Sequence, residues 1–273
     1  MGTPERGSPL PTSVTRLWRP AAQRNLRNQW SKLASCRSEW FSCSSAARSH
    51  ATSLVNAFLS QKYVPSMELG ILNEMPDIRN KACSKLFKQQ ELHQRKLLSS
   101  YKDMVAVVTR MVNVSRLMRC YVKGPSSSPI LQFSTSSENN DDNEQLAEEL
   151  VQMFTSELNL KRLLVAELLT LSCEGPQLNE LCWSYELYPG EFNDLSICNL
   201  YSIETCKPVP PGLVGRKYEM PTMQFKNQPN REVLQFTVLQ VYLTTWLAEV
   251  NIDTHRVDEI FAIIGDEMHV SLS

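Results

Sequence analysis

Apolar side chains recur along four stretches of this chain with the period of a helix, and between those stretches the period is lost. From about Ala22 to Gln61, Leu26, Trp30, Leu33, Arg37, Trp40, Ser44, Ala47, Ala51, Leu54 and Phe58 follow one another at steps of three and four. That spacing predicts one long helix with a single apolar stripe, and Pro65 and Gly70 lie beyond its end. A second helix is predicted from Asp77, whose carboxylate suits the positive end of a helix dipole, to Lys123. Within it Leu97, Tyr101, Met104, Val108, Met111, Ser115 and Met118 repeat at alternating steps of four and three. Neither Pro nor Gly interrupts it. Two long amphipathic helices joined by a short connection predict an antiparallel hairpin over 22–123.

The third helix is expected over 144–172, opening on acids and carrying Leu146, Leu150, Phe154, Leu158, Val165 and Leu168. Residues 124–143 read as a flexible Pro/Ser/Asn linker. Residues 1–21, basic and rich in proline, read as a disordered tail. From 173 to 230 periodicity disappears. Prolines, aromatics and Cys173, Cys182, Cys198 and Cys206 concentrate there, and the segment reads as an irregular insertion. Helical pattern returns over 231–265, with Asp253 as the N-cap of a final helix and Gly265 as its stop. The fold class expected is therefore mainly α: an elongated antiparallel helical bundle or coiled coil with an irregular Cys/Pro/aromatic-rich insertion.

Composition narrows the function. The 273 residues carry 28 Lys+Arg against 29 Asp+Glu, so the chain lacks the basic excess of a protein held mainly by nucleic-acid phosphates. Direct nucleic-acid binding is not expected, and the Arg- and Trp-containing start reads better as core anchors than as a stacking strip. The longest uncharged apolar stretch, Leu234–Ala248, is too short and too polar to span a membrane.

Catalytic and metal signatures are missing. The four midsection cysteines are separated by eight, fifteen and seven residues, unlike the short paired spacings of structural zinc. No Gly-x-Ser-x-Gly elbow, phosphate loop or His-Glu-x-x-His is present. The expectation is a chain that is not an enzyme and uses no metal or cofactor. An enzyme or zinc protein would have to be built on 173–230. Thr3, Ser8 and Ser128, each followed by proline, are candidate phosphorylation sites.

Three segments carry a family likeness. Glu157-Leu158-Asn159-Leu160-Lys161-Arg162, followed by Val165-Ala166-Glu167-Leu168, is similar to the leucine-rich Lys-Arg helix of the cyclin-dependent kinase 2-interacting protein family. Tyr242-Leu243-Thr244-Thr245-Trp246-Leu247 is similar to that family's Tyr-Leu-x-x-Trp-Leu signature, and Gln29-Trp30-Ser31-Lys32-Leu33 resembles its early Trp-x-x-Leu. The likeness covers roughly 22–60, 77–121, 142–171 and 236–265. Residues 173–230 separate two signatures that lie close together in the family. Met75-Pro76-Asp77-Ile78-Arg79 resembles a related ribosome maturation factor that binds the same AAA-type ATPase.

The resemblance implies a nuclear, non-enzymatic scaffold with a possible cytoplasmic pool. It would link cell-cycle kinases to DNA replication, DNA repair and the DNA-damage checkpoint, and act as a subunit of an AAA-type ATPase complex in replisome turnover and ribosome maturation. The expected partners are proteins: a cyclin-dependent kinase, checkpoint factors and AAA-type ATPase subunits. The alternatives are a structural coiled-coil subunit of a centrosomal or kinetochore assembly, self-associating through the 97–118 stripe, or the related ribosome large-subunit maturation factor. Lys161 and Arg162 read either as a solvated charge pair or as contacts to an acidic partner. Leu158, Trp246, Tyr242 and Trp30 read either as core anchors or as partner-binding residues.

Overall fold

The computed structural model describes residues 12–123, 142–171, 185–209 and 231–270, with the side chains of 12–22, 119–123, 142 and 231–235 left undescribed. The chain is mainly helical. Its elements are α1 (Thr12–Tyr63), α2 (Ile78–Lys123), α3 (Asp142–Leu169), α4 (Glu191–Ile197), α5 (Arg231–Ala248) and α6 (Thr254–Met268). One antiparallel pair, β1 (Tyr201–Ser202) with β2 (Lys207–Pro208), follows α4. Short 3₁₀ turns, Val64–Ser66 and Gly70–Glu74, link α1 to α2.

The apolar stripes read from the sequence are the buried ones. On α1, Leu26, Trp30, Leu33, Trp40, Ala47, Ala51, Leu54 and Phe58 are buried. On α2, Leu97, Tyr101, Met104, Val108, Met111 and Met118 are buried too. The helix starts and stops differ in places. α1 begins at Thr12, inside the stretch expected as a tail, and runs through Pro20, ten residues before the Ala22 start read from the apolar pattern. The first eleven residues, the 124–141 part of the expected linker, and Thr3, Ser8 and Ser128 lie outside the described residues.

α2 starts as expected, with the Asp77 carbonyl accepting from the Lys81 amide at 2.9 Å. Gly265 does not stop α6. The helix runs on to Met268 and ends where His269 adopts φ 53°, with Val270 N–H donating to the Gly265 carbonyl and His269 N–H to the Asp266 carbonyl. This is a Schellman ending, so glycine serves a different purpose at 265. A Cβ there would sit 2.8 Å from the Val270 carbonyl oxygen.

The chain divides into two compact units. One comprises 1–37, 110–152 and 254–273. In it α6 runs antiparallel to α1: Trp30 meets Phe261 edge-on at 6.0 Å, and Arg37 pairs with Asp258. α6 also runs antiparallel to the start of α3, where Arg256 grips Glu149 at 2.7 Å and Asn143 donates to Glu267 at 3.1 Å. Val257, Ile260, Phe261 and Ile264 form its buried face.

The other unit comprises 38–109 and 153–253. α1 and α2 pair antiparallel here, with the Gln90 amide donating to the Gln61 side chain and the His50 and His93 rings 5.8 Å apart. α3 returns beside α2, where Gln94 donates to the Leu171 carbonyl at 3.0 Å, and Trp40 of α1 meets Phe154 of α3 edge-on. α5 runs back along α3. Within the expected irregular insertion, residues 185–209 fold and pack on this core. Leu195, Cys198, Leu200 and Tyr188 are buried, and Phe192 stacks on Tyr201 at 4.5 Å.

Candidate functional site

The adjacent Lys161 and Arg162 on α3 point about 100° apart, and each engages a different neighbour. Neither is solvated: Lys161 is 0 % and Arg162 1 % exposed. Lys161 pairs with Glu157 one turn earlier at 2.9 Å and donates to the Trp246 carbonyl at 2.6 Å. Its ammonium also lies 4.8 Å from the centre of the Trp246 ring. A cation on the last carbonyls of α5 satisfies backbone acceptors that have no partner within the helix. Glu157 in turn accepts from the backbone and side-chain N–H groups of Asn251 at 3.0 and 2.9 Å. Lys161 and Glu157 thus clasp the end of α5. Burial lowers the Lys161 pKa, and the charge of Glu157 opposes that shift. Ser44 donates to Glu249 at 2.7 Å on the same side, and burial raises the Glu249 carboxyl.

Arg162 holds the 185–209 segment. Its Nε lies 2.9 Å from Glu191, and one terminal nitrogen donates to the Tyr185 carbonyl at 2.7 Å. Glu191 also accepts from the Tyr101 hydroxyl and from Leu187 N–H, both at 2.7 Å. Burial is the main cause that pushes the Tyr101 phenol well above its usual range, and the Glu191 charge adds to it. Tyr188 shifts upward too, first through burial and then through its bond to Asp194.

The residues proposed as partner contacts therefore fall mostly inside. Lys161, Arg162, Leu158, Trp246 and Trp30 are buried, so the reading of them as a binding surface is corrected. Neighbouring elements take up their groups: Arg162 meets Glu191, Lys161 the Trp246 carbonyl, the Trp246 indole the Ser44 carbonyl and Trp30 the Phe261 ring. Tyr242 is half-buried, and burial together with Glu167 raises its phenol. The 97–118 stripe is buried as well, so it is not free for self-association. Of the midsection thiols, Cys198 is buried within 3.6 Å of the Thr109 hydroxyl and Cys206 is exposed; Cys173 and Cys182 lie outside the described residues. Among the described residues no three of His, Cys, Asp or Glu are grouped to hold a metal, and no helix is long and apolar enough to cross a membrane.

What remains on the surface was missed by reading one stripe per helix. α5 buries Leu239 and Trp246 but exposes Phe236, Val238, Val241 and Leu247, at 47 %, 37 %, 54 % and 61 %. Its apolar residues surround the helix rather than marking one face, a signal legible in Leu234–Ala248. A second apolar patch sits on the α1–α2 connection, where Met67, Ile71, Leu72 and Met75 are exposed. Arg79 braces that connection by donating to the carbonyls of Pro65 and Met67. Scattered exposed apolar residues are ordinary, whereas neighbours on one side of a helix, as Val238 and Val241 are, make a candidate interaction surface. No family model, curated protein or solved structure matches this chain.

Proposed function

We propose that this protein is a non-enzymatic helical adaptor that binds other proteins through helix faces its own core leaves uncovered. The observation that carries the reading is the pair Val238 and Val241, exposed about one turn apart on one side of α5, with Phe236 and Leu247 exposed on another side of the same helix. Keeping such a face in water forgoes burial worth about 25 cal/mol per Å², which a partner recovers on docking. The family resemblance supplies the assembly: AAA-type ATPase subunits, a cyclin-dependent kinase and checkpoint factors, in nuclear replication, DNA repair and ribosome maturation.

The test is affinity capture with the full chain from nuclear extract. Val238→Asp with Val241→Asp alters only exposed positions, so the thermal melt should match the parent. Recovery of AAA-type ATPase subunits or cell-cycle kinases by the parent, lost in the double variant, is the expected result. Equal recovery by both, or recovery of neither partner class, refutes the assignment.

A further inference from the structure

α2 carries a second row with a seven-residue repeat, and this one is cationic. Lys81, Lys85, Lys88, Leu92, Arg95 and Lys102 lie on one line of alternating three- and four-residue steps, with Ser99 completing it. All are exposed. The row lies opposite the buried Leu97, Tyr101 and Met104, since positions two apart on a helix are about 200° apart. From Lys81 to Lys102 it runs about 31 Å.

None of its five cations is in an ion pair with another described residue. Arg95 donates to the Glu91 carbonyl and Lys102 rests 5.2 Å over the Tyr188 ring, and neither contact supplies a negative charge. Between Ile78 and Asp103 seven Lys and Arg stand against two acids, in a chain whose net charge is −1. Positive charge is concentrated here, and among the described residues no acid forms an ion pair with it.

We propose that this row docks an acidic amphipathic helix of a partner protein, one whose carboxylates repeat every seven residues. Three features favour a helix over nucleic acid. First, a heptad row on one helix matches a heptad row on another at a shallow crossing angle. Second, Leu92, 44 % exposed, sits amid the cations and gives an apolar centre within a charged rim, the anatomy of a protein interface. Third, the row carries no aromatic on which bases would stack. The row shares no residue with Val238 and Val241 of α5, so the two can be substituted independently.

The test uses the full chain and a labelled helical peptide of about three heptads. The peptide bears Glu along one row and Leu at its centre, and binding is read by fluorescence anisotropy. Binding should fall about tenfold or more in Lys85→Glu/Lys88→Glu/Arg95→Glu, since three attractions become repulsions. The Lys85→Gln/Lys88→Gln/Arg95→Gln variant, which only removes charge, should show a smaller loss in the same direction and serves if the first fails to fold. Leu92→Ala should weaken binding of the Leu-centred peptide and leave an Ala-centred one unchanged. Peptide binding that is absent, or indifferent to the Gln variant, overturns the proposal. So does tighter binding of single-stranded or duplex DNA carrying the same number of charges.

Discussion

Replacing Arg162 by methionine removes the one cation that, among the described residues, is bonded to the Glu191 carboxylate. Glu191 is 0 % exposed, and without Arg162 its donors among the described residues are the Tyr101 hydroxyl and Leu187 N–H. A buried ion pair broken on one side costs about 3–5 kcal/mol, because the remaining charge is neither solvated nor neutralised. For a chain of this size that corresponds to a fall in Tm of roughly 10 °C, at ~2–4 °C per kcal/mol. Glu191→Met should cost a comparable amount for the mirror reason. The double variant Arg162→Met/Glu191→Met should lie closer to the parent than either single variant, since an apolar pair of similar volume leaves no orphan charge. Urea and thermal unfolding followed by circular dichroism measure all four proteins. A cost below about 1 kcal/mol for Arg162→Met, or a double variant whose loss equals the sum of the singles, would refute the claim that this pair locks residues 185–209 onto α3.

Other outcomes follow from the same geometry. Tyr101 and Tyr188 have folded pKa values raised above the ordinary phenol value of about 10, so their contribution is complete below about pH 10 and is lost as pH rises beyond it; Tyr101→Phe should flatten that alkaline limb in Tm against pH. His50 and His93 are both lowered from 6.5, chiefly by burial, with Lys96 acting on each, so the charged forms are disfavoured in the folded chain. Stability should be complete above about pH 6.5 and fall below it, and His93→Gln should shrink the fall; a Tm flat from pH 7 to 5 would contradict this. Gly265→Ala should destabilise the end of α6 by about 1–3 kcal/mol, because its Cβ meets a backbone carbonyl rather than a movable side chain. Hydrogen exchange at His269 and Val270, whose amides close that turn, reports the change.

The helices and their buried faces were legible because a stripe such as Leu26–Phe58 or Leu97–Met118 has a single physical use, to leave water together. The docking of 185–209 was not legible. It depends on Glu191 meeting Arg162 and Tyr101, partners 29 and 90 residues away, and no local period announces such a pairing. α5 was legible only in part: its pattern marks a helix, but apolar residues on all sides do not say which are covered. The stop at Gly265 was misplaced because glycine was read for its backbone freedom. Here its missing Cβ matters, and His269 takes the left-handed turn.

The two adjacent basic residues of α3 carry a broader consequence. A Lys-Arg pair within a leucine-rich helix looks like a charged handle for a partner, and at the surface it would be one. Buried, the same pair has two structural tasks: Lys161 with Glu157 ties off α5 at Trp246 and Asn251, and Arg162 with Glu191 fastens residues 185–209. The Lys161–Arg162 and Tyr242–Leu247 segments are thus segments the core requires. Charge reversal at Lys161 or Arg162 would destabilise the core and so lower any partner capture indirectly, which makes it a poor probe of any interface. Val238 and Val241 on α5, and Lys85, Lys88 and Arg95 on α2, are exposed. Changes there leave the core intact, so a loss of capture in those variants reports on binding alone.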